Sequence, residues 1–323
     1  MAVMDTYFRV STCKKVSTKI PLYQQKTKYK IMKITVTGSL GNIGKHLVKI
    51  LVANTNEVTV ISSNEDRKSA IEALGAQAAI GSITDTDFLV KTFIGSDAVF
   101  VMTPPNMGGQ NIIENTVSAG KSYAEAITKA GVQKVVMLSS IGAEYENGTG
   151  PIAGLYHIEN LYRSLLQNVN VNFMRAGYFY TNFYNDVPLI KGMGIIGSNY
   201  PADTKIPLVH PQNIAEAVAE ALQKSTTGHL VRYVVSDYVN VAEVAKAFSD
   251  VLGKQLPWVE FTDEQLLQGM QQAGLPTEMA QLYTEMGTAI REGKLQKDFE
   301  ANGAAQIGSI KIQAFAKEFA GAF

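Results

Sequence analysis

Cysteine is nearly absent from this sequence. Cys13 is the only one among 323 residues, so no internal disulfide can form and no paired-cysteine metal site can be assembled. Histidine is scarce too: His46, His157, His210 and His229 show no metal-ligand spacing, which leaves zinc chemistry without a ligand set. Excess charge is also missing. Lysine plus arginine equals aspartate plus glutamate at 29 each, so no overall field draws the chain to nucleic acid or to an anionic membrane surface. No apolar run approaches the ~20 residues that a transmembrane helix needs. No serine stands in a nucleophile-elbow context, which sets hydrolase chemistry aside. The Asn147-Gly-Thr149 sequon reads as an Asn-Gly turn. With one cysteine and no secretory core, a cytoplasmic location is expected.

What is present in quantity is hydrophobic residue, 46% of the chain, and it is organised around Lys33-Ile-Thr-Val-Thr-Gly-Ser-Leu-Gly-Asn-Ile-Gly44. Ile34 and Val36, with β-branched Thr35 and Thr37 between them, read as a strand. Ile43, Leu47, Ile50 and Leu51 then recur at helical spacing. Between the two lie three glycines. Gly38 permits the turn out of the strand, Gly41 lets backbone approach a ligand, and Gly44 lets the helix pack on the sheet. With Ser39, Leu40, Asn42 and Ile43 they form a loop whose amides, at the positive end of a helix, suit a pyrophosphate. This is a dinucleotide cradle.

Strands and helices alternate from there. Strands are expected at 57–61, 76–80, 98–102, 134–139 and 171–175, and helices at 66–74, 85–93, 111–130 and 156–167. That alternation predicts an α/β Rossmann fold: a doubly wound parallel sheet with helices on both faces, carrying a small C-terminal α/β substrate lobe. The nucleotide-binding core is assigned to 32–176 and the lobe mainly to 177–323, where helices are expected at 213–222, 241–252, 262–272 and 277–291. Residues 1–31 hold seven basic residues against the single Asp5, and Met32 falls just before the first strand. They are expected to be a disordered, dispensable extension. Ligands of such a sheet sit beyond the carboxyl ends of its strands. That draws in Ser62, Ser63 and Asn64, then Gly81-Ser-Ile83, then Met102, Thr103, Pro104 and Pro105, then Ser139 and Ser140, and last Ala176-Gly-Tyr178.

Thr37-Gly-Ser-Leu-Gly-Asn-Ile-Gly44, Phe100-Val-Met-Thr-Pro-Pro105, the paired Ser139 and Ser140, His157 at the head of its helix, and Arg175-Ala-Gly-Tyr-Phe179 together resemble the NmrA-like branch of the atypical short-chain dehydrogenases/reductases. Pro207-Leu-Val-His-Pro-Gln-Asn-Ile-Ala215 resembles that group's segment leading into a late helix. The resemblance spans residues 32 to about 225. It implies binding of NADP(H) or NAD(H), with either reduction of a quinone-like acceptor or redox sensing without turnover. Two positions depart from the group: Asn213 stands where it often has aspartate, and Ser63 where quinone-reducing members often carry arginine.

Ordinary short-chain dehydrogenases pair a catalytic tyrosine with a lysine four residues on. Here Tyr145, Tyr156 and Tyr162 are followed at that spacing by Thr149, Asn160 and Leu166, and the one matching pair, Tyr29 and Lys33, lies ahead of the first strand. The chemistry that remains is hydride transfer to an acceptor needing little protein acid, with His157 and Tyr178 as candidate proton donors or orienters. Ser139 and Ser140 are candidates for bonding a nicotinamide or substrate carbonyl. NADP(H) is favoured over NAD(H): Ser62, Ser63 and Asn64 replace the acid that holds a ribose in NAD sites, and Arg67, or else Lys68, can clamp a 2′-phosphate. Glu65 and Asp66 intervene and would reverse the preference if turned inward. The reading is an NAD(P)H-dependent oxidoreductase acting on a small-molecule acceptor, as monomer or homodimer. Its alternatives are a non-catalytic NADP(H) sensor and, sharing the fold but normally needing the missing dyad, a sugar-nucleotide epimerase.

Overall fold

The structure is a computed structural model in which residues 31–104, 109–303 and 306–323 are described, with the side chains of 306 and 307 excepted. The extension at 1–30 and Pro105 lie outside the described residues.

The first half runs β1 (Lys33–Val36), α1 (Gly44–Ala53), β2 (Glu57–Ser62), α2 (Lys68–Glu72), β3 (Gln77–Ile80), α3 (Thr86–Phe93), β4 (Ala98–Val101), α4 (Ile112–Ala130), β5 (Lys134–Ser140), α5 (Ala153–Leu165) and β6 (Asn170–Ala176). Unbroken apolar runs make strands buried on both faces, as in β4, where all four residues are buried. Local chemistry sets the helix ends. Asp85 caps α3 by accepting from the Phe88 amide at 3.0 Å, and Gly131 closes α4 at a φ of 71°. Two boundaries differ from expectation. Asn64 accepts from the Asp66 amide and starts a 3-10 turn over Glu65–Arg67, so the helix expected at 66–74 is shortened to α2. Pro151 starts a second 3-10 turn that feeds α5 from Ala153. His157 therefore sits a turn inside its helix and not at its head.

The second half adds β7 (Tyr178–Phe179), α6 (Val187–Met193), β8 (Ile196–Ser198), β9 (Lys205–Val209), α7 (Pro211–Gln223), β10 (His229–Val235), β11 (Asp237–Asn240), α8 (Val241–Leu252), β12 (Trp258–Glu260), α9 (Asp263–Gln272), α10 (Thr277–Arg291), α11 (Lys297–Asn302), β13 (Gln306–Ile307) and α12 (Ile312–Phe319). The main sheet has the order β13-β10-β6-β5-β4-β1-β2-β3 with every pair parallel. Strand order reverses at β1, which pairs Ile34 with Val58 on one side and with Ala98 on the other. The crevice that a doubly wound sheet offers to ligands opens there. α1 and α7 cover one face through Leu47, Leu51, Val218 and Leu222, and α3, α4 and α5 cover the other through Phe93, Tyr123, Ile127 and Tyr162.

Residues beyond 176 thus serve two layers. α7 and β10 complete the sheet, while β7, β9 and β11 form a small sheet of their own over an aromatic core. In that core Phe248 stacks on Phe319 at 4.1 Å, and Tyr180 and Phe183, which follow β7, are buried. Among the described residues no helix is long and apolar enough to cross a membrane.

Candidate functional site

Thr37 fixes the floor of the crevice. Wholly buried, it donates its amide to Phe100 O at 3.0 Å and accepts from the Met102 amide at 2.9 Å, while Tyr123 donates to Met102 O at 2.9 Å. The ends of β1 and β4 are locked together, and the glycine loop springs from a rigid base. Gly38 turns at a φ of 87° and Ser39 follows at 54°, a left-handed position that its bond to Ser62 Oγ at 3.1 Å helps to hold. Gly44 admits no side chain: a Cβ there would stand 2.0 Å from Ser39 O. Its function is close approach of loop to helix, in place of the expected packing of helix on sheet.

Gly41 is different. A Cβ there would meet only Gly38 O, at 3.3 Å, and the residue is exposed. The protein's own packing does not require glycine at this position, so the space it leaves is available to a ligand. α1 has no side-chain cap, and the amides of Leu40, Asn42 and Ile43 donate to no backbone carbonyl among the described residues. These are the donors a pyrophosphate needs, so the residues fit a dinucleotide. Ile43 contributes backbone alone, its side chain being 3% exposed in the core, and Leu40 packs partly against that core. Asn42 reaches the lobe, donating to Thr181 Oγ1 at 3.4 Å.

At the end of β2 the expected residues divide. Ser62 is buried and bonded to Ser39 and to Asn64, and Asn64 caps the following turn. Ser63 and Arg67 are exposed; the Arg67 amide donates to Asn64 O at 3.2 Å, while its guanidinium forms no hydrogen bond or ion pair with any described residue. Lys68 faces Glu65 at 4.0 Å.

Beyond β4, β5 and β6 lies a cavity of about 260 Å³ whose wall includes Met102, Thr103, Ser139, Ser140, Tyr178, Asn182 and Tyr283. Strand ends and lobe meet here. Larger but more open grooves run along α1 and α7 and along α8, away from the strand ends. Pro104 is exposed and off the wall. His157 is off it as well, half-buried with its ring edge-on to Tyr156 at 5.3 Å. Tyr178 is on the wall, hydrogen-bonded to the Asn182 side chain, and burial drives its hydroxyl well above the ordinary tyrosine range, so it stays protonated. Behind it, the carboxyl of Asp186 precedes α6 without capping it, and burial pushes its pKa up to about 7. A carboxyl raised in this way adds stability that is complete below its unfolded pKa and lost as pH rises through about 7. Asp186→Asn should therefore stabilise the protein at pH values above that point and give no gain in acid, as read by melting temperature across pH.

Sequence reasoning missed what lies beneath Ser139. Arg175, 6% exposed, bonds Glu159 through both oxygens at 3.0 and 2.9 Å, and also reaches Glu144 at 3.0 Å and Asp298 at 2.9 Å. Ser139 donates to Glu159 Oε1 at 2.6 Å. Arginine in a buried strand was the available signal. Its partners come from distant parts of the chain, which no spacing rule links. Asn213 has its own role at α7: Oδ1 accepts from Ser236 Oγ at 2.9 Å and from the Ile310 amide at 3.2 Å, and Nδ2 donates to Glu216 at 2.9 Å. An aspartate could not make the last bond. Among the described residues no cluster of histidine, cysteine or carboxylates could hold a metal.

Sheet order and glycine loop define a Rossmann-type α/β protein with a cavity at its strand ends. The chain belongs to the NmrA-like family, which matches residues 30–311. It is 26% identical over 257 residues to an NAD(P)H azoreductase of Xenophilus azovorans, covering 78% of this chain and 85% of that one. Its fold is similar to that of an NADPH-dependent quinone oxidoreductase from Escherichia coli complexed with NADPH, with TM-score 0.75, 16% identity, and 88% and 99% of the two chains covered. It is also similar to NmrA, a negative transcriptional regulator, in complex with NADP, with TM-score 0.69, 17% identity, and 89% and 95% covered. At these identities the structural likeness is one of fold.

Proposed function

We propose that this protein is an NADPH-preferring reductase that passes hydride to a small quinone-like or azo acceptor held in the cavity behind β5 and β6. The observation that carries the reading is the exposed space at Gly41, where a Cβ would meet Gly38 O alone among the described residues, above amides with no backbone partner among them. The azoreductase relative supports the same reading. When bound, reduced nicotinamide supplies the hydride. The chain's own part is to orient and to protonate: the glycine loop seats the pyrophosphate, the apolar wall of Leu138, Ile141, Leu155 and Ile206 excludes water, and Tyr178 holds a proton at its hydroxyl beside the acceptor.

Preference for the phosphorylated cofactor rests on Ser63 and Arg67. An exposed guanidinium with no described partner is free to take a 2′-phosphate in bidentate fashion. By calorimetry the wild type should bind NADPH at least about tenfold more tightly than NADH, and Arg67→Ala should lose most of that margin while NADH affinity holds. Equal affinities in the wild type, or an unchanged margin in the variant, would remove the phosphate pocket from the account.

A second reading, a nucleotide-binding regulator without turnover, is favoured by the missing Tyr-Lys pair and by the likeness to the NADP-bound regulator. Tight NADPH binding with no oxidation across a panel of quinones and azo dyes would select it.

A further inference from the structure

The two serines at the end of β5 have already committed their protons. Ser139 donates to Glu159 Oε1 at 2.6 Å, and Ser140 donates to Ile141 O at 2.9 Å. Direction is not in doubt at Ser139. Glu159 Oε1 also accepts from Arg175 Nε, and Oε2 accepts from Arg175 Nη2 at 2.9 Å and Arg163 Nη2 at 3.2 Å, so this carboxylate has no proton to give. A hydroxyl carries one hydrogen and two lone pairs. Once the hydrogen is taken, only lone pairs remain for a ligand. Both serines line the cavity, so this end of it accepts hydrogen bonds and donates none from either hydroxyl. The expectation that these serines bond a carbonyl oxygen has the sign of the interaction reversed.

We propose that Ser139 and Ser140 are specificity-determining residues that recognise an N–H or O–H donor on a ligand, with Glu159 and Arg175 as positioning residues that hold the Ser139 hydroxyl in its accepting orientation. The inference rests on the nucleotide-dependent reductase reading, and two ligands there can present such a donor. One is the carboxamide NH₂ of the nicotinamide; the other is the hydroxyl of a reduced quinone. A bare carbonyl oxygen turned toward the serines would meet lone pairs and be repelled.

Two comparisons test this and separate the sources. First, calorimetry compares NADPH with its reduced 3-acetylpyridine analogue, in which a methyl ketone replaces the carboxamide and no N–H remains. The wild type should bind NADPH about tenfold more tightly, and the gap should shrink to about threefold or less in Ser139→Ala. Second, inhibition by a hydroquinone is compared with that by its dimethyl ether. If the donor belongs to the reduced acceptor, Ser139→Ala weakens the hydroquinone alone and leaves the cofactor gap intact. Movement in either comparison supports the proposal. Ser140→Ala repeats both tests should Ser139→Ala fail to fold. If neither variant changes either comparison, the accepting wall is refuted. Absence of any NADPH binding by wild type is a separate outcome, which would overturn the nucleotide reading itself.

Discussion

Arg175→Met should cost the protein on the order of 3–5 kcal/mol of stability, the largest loss expected from a single substitution outside the glycine loop. Arg175 is the one cation on which Glu159, Glu144 and Asp298 all converge, and both it and Glu159 are almost fully buried. Removing it leaves carboxylates facing one another, and among the described residues the only cation still paired with them is Arg163, at Glu159. One of them already feels the strain: burial holds Glu144 above the ordinary carboxylate range, and its Oε1 has no hydrogen-bond partner among the described residues. Arg175 now holds Glu144 down against that burial, so loss of the guanidinium would raise Glu144 further. A carboxyl raised above its unfolded value gives stability that is full below the unfolded pKa and lost as pH rises through the folded one, so the variant should recover in mild acid. Its melting temperature should be higher near pH 5 than near pH 8 by several degrees, and Glu159→Gln in the same chain should restore part of the loss. A loss under about 1 kcal/mol with no pH dependence would show that the network contributes little.

The network also marks where the sequence stopped being informative. β1, the glycine loop and α1 were legible because their signals are local: alternation, three glycines, then helical spacing, all within twenty residues. α8 was found at its observed limits because its apolar face repeats over three turns and Gly253 closes it. By contrast α6, α12 and β12 went unseen, since each is short and takes its shape from aromatic packing with residues far along the chain, such as Phe315 and Phe319 against Phe248. The cavity was half legible. Its β4 and β5 walls follow from sheet topology, and Tyr178 from the stretch after β6. Tyr283, on α10 more than a hundred residues later, follows from nothing local. His157 shows the opposite failure: histidine at a helix start invites a chemical role, but Pro151 begins the helix earlier and turns that ring off the wall.

Gly41→Val should abolish cofactor binding and leave the fold standing, whereas Gly44→Val should damage the fold itself. The two glycines lie three residues apart in one loop, yet the geometry separates them. At Gly44 a side chain would collide with Ser39 O at 2.0 Å, and the atom it meets is backbone pinned between Ile61 and Ser62, unable to move aside. Overpacking of that kind costs about 1–3 kcal/mol or more, and it distorts the N-terminus of α1 on which the cradle depends. At Gly41 the new Cβ meets a single described neighbour, Gly38 O at 3.3 Å, a tight contact that a shift of a few tenths of an ångström relieves, so the melting temperature should stay within a few degrees of wild type. What those atoms occupy is the approach to amides with no backbone partner among the described residues, and a branched side chain there keeps a pyrophosphate out of hydrogen-bonding range. Calorimetry should find NADPH affinity reduced by about 100-fold or more in Gly41→Val. Wild-type affinity in a folded Gly41→Val would mean that the nucleotide, if one binds, sits elsewhere, and a Gly44→Val protein as stable as wild type would mean that the loop can relax in a way its hydrogen bonds do not suggest.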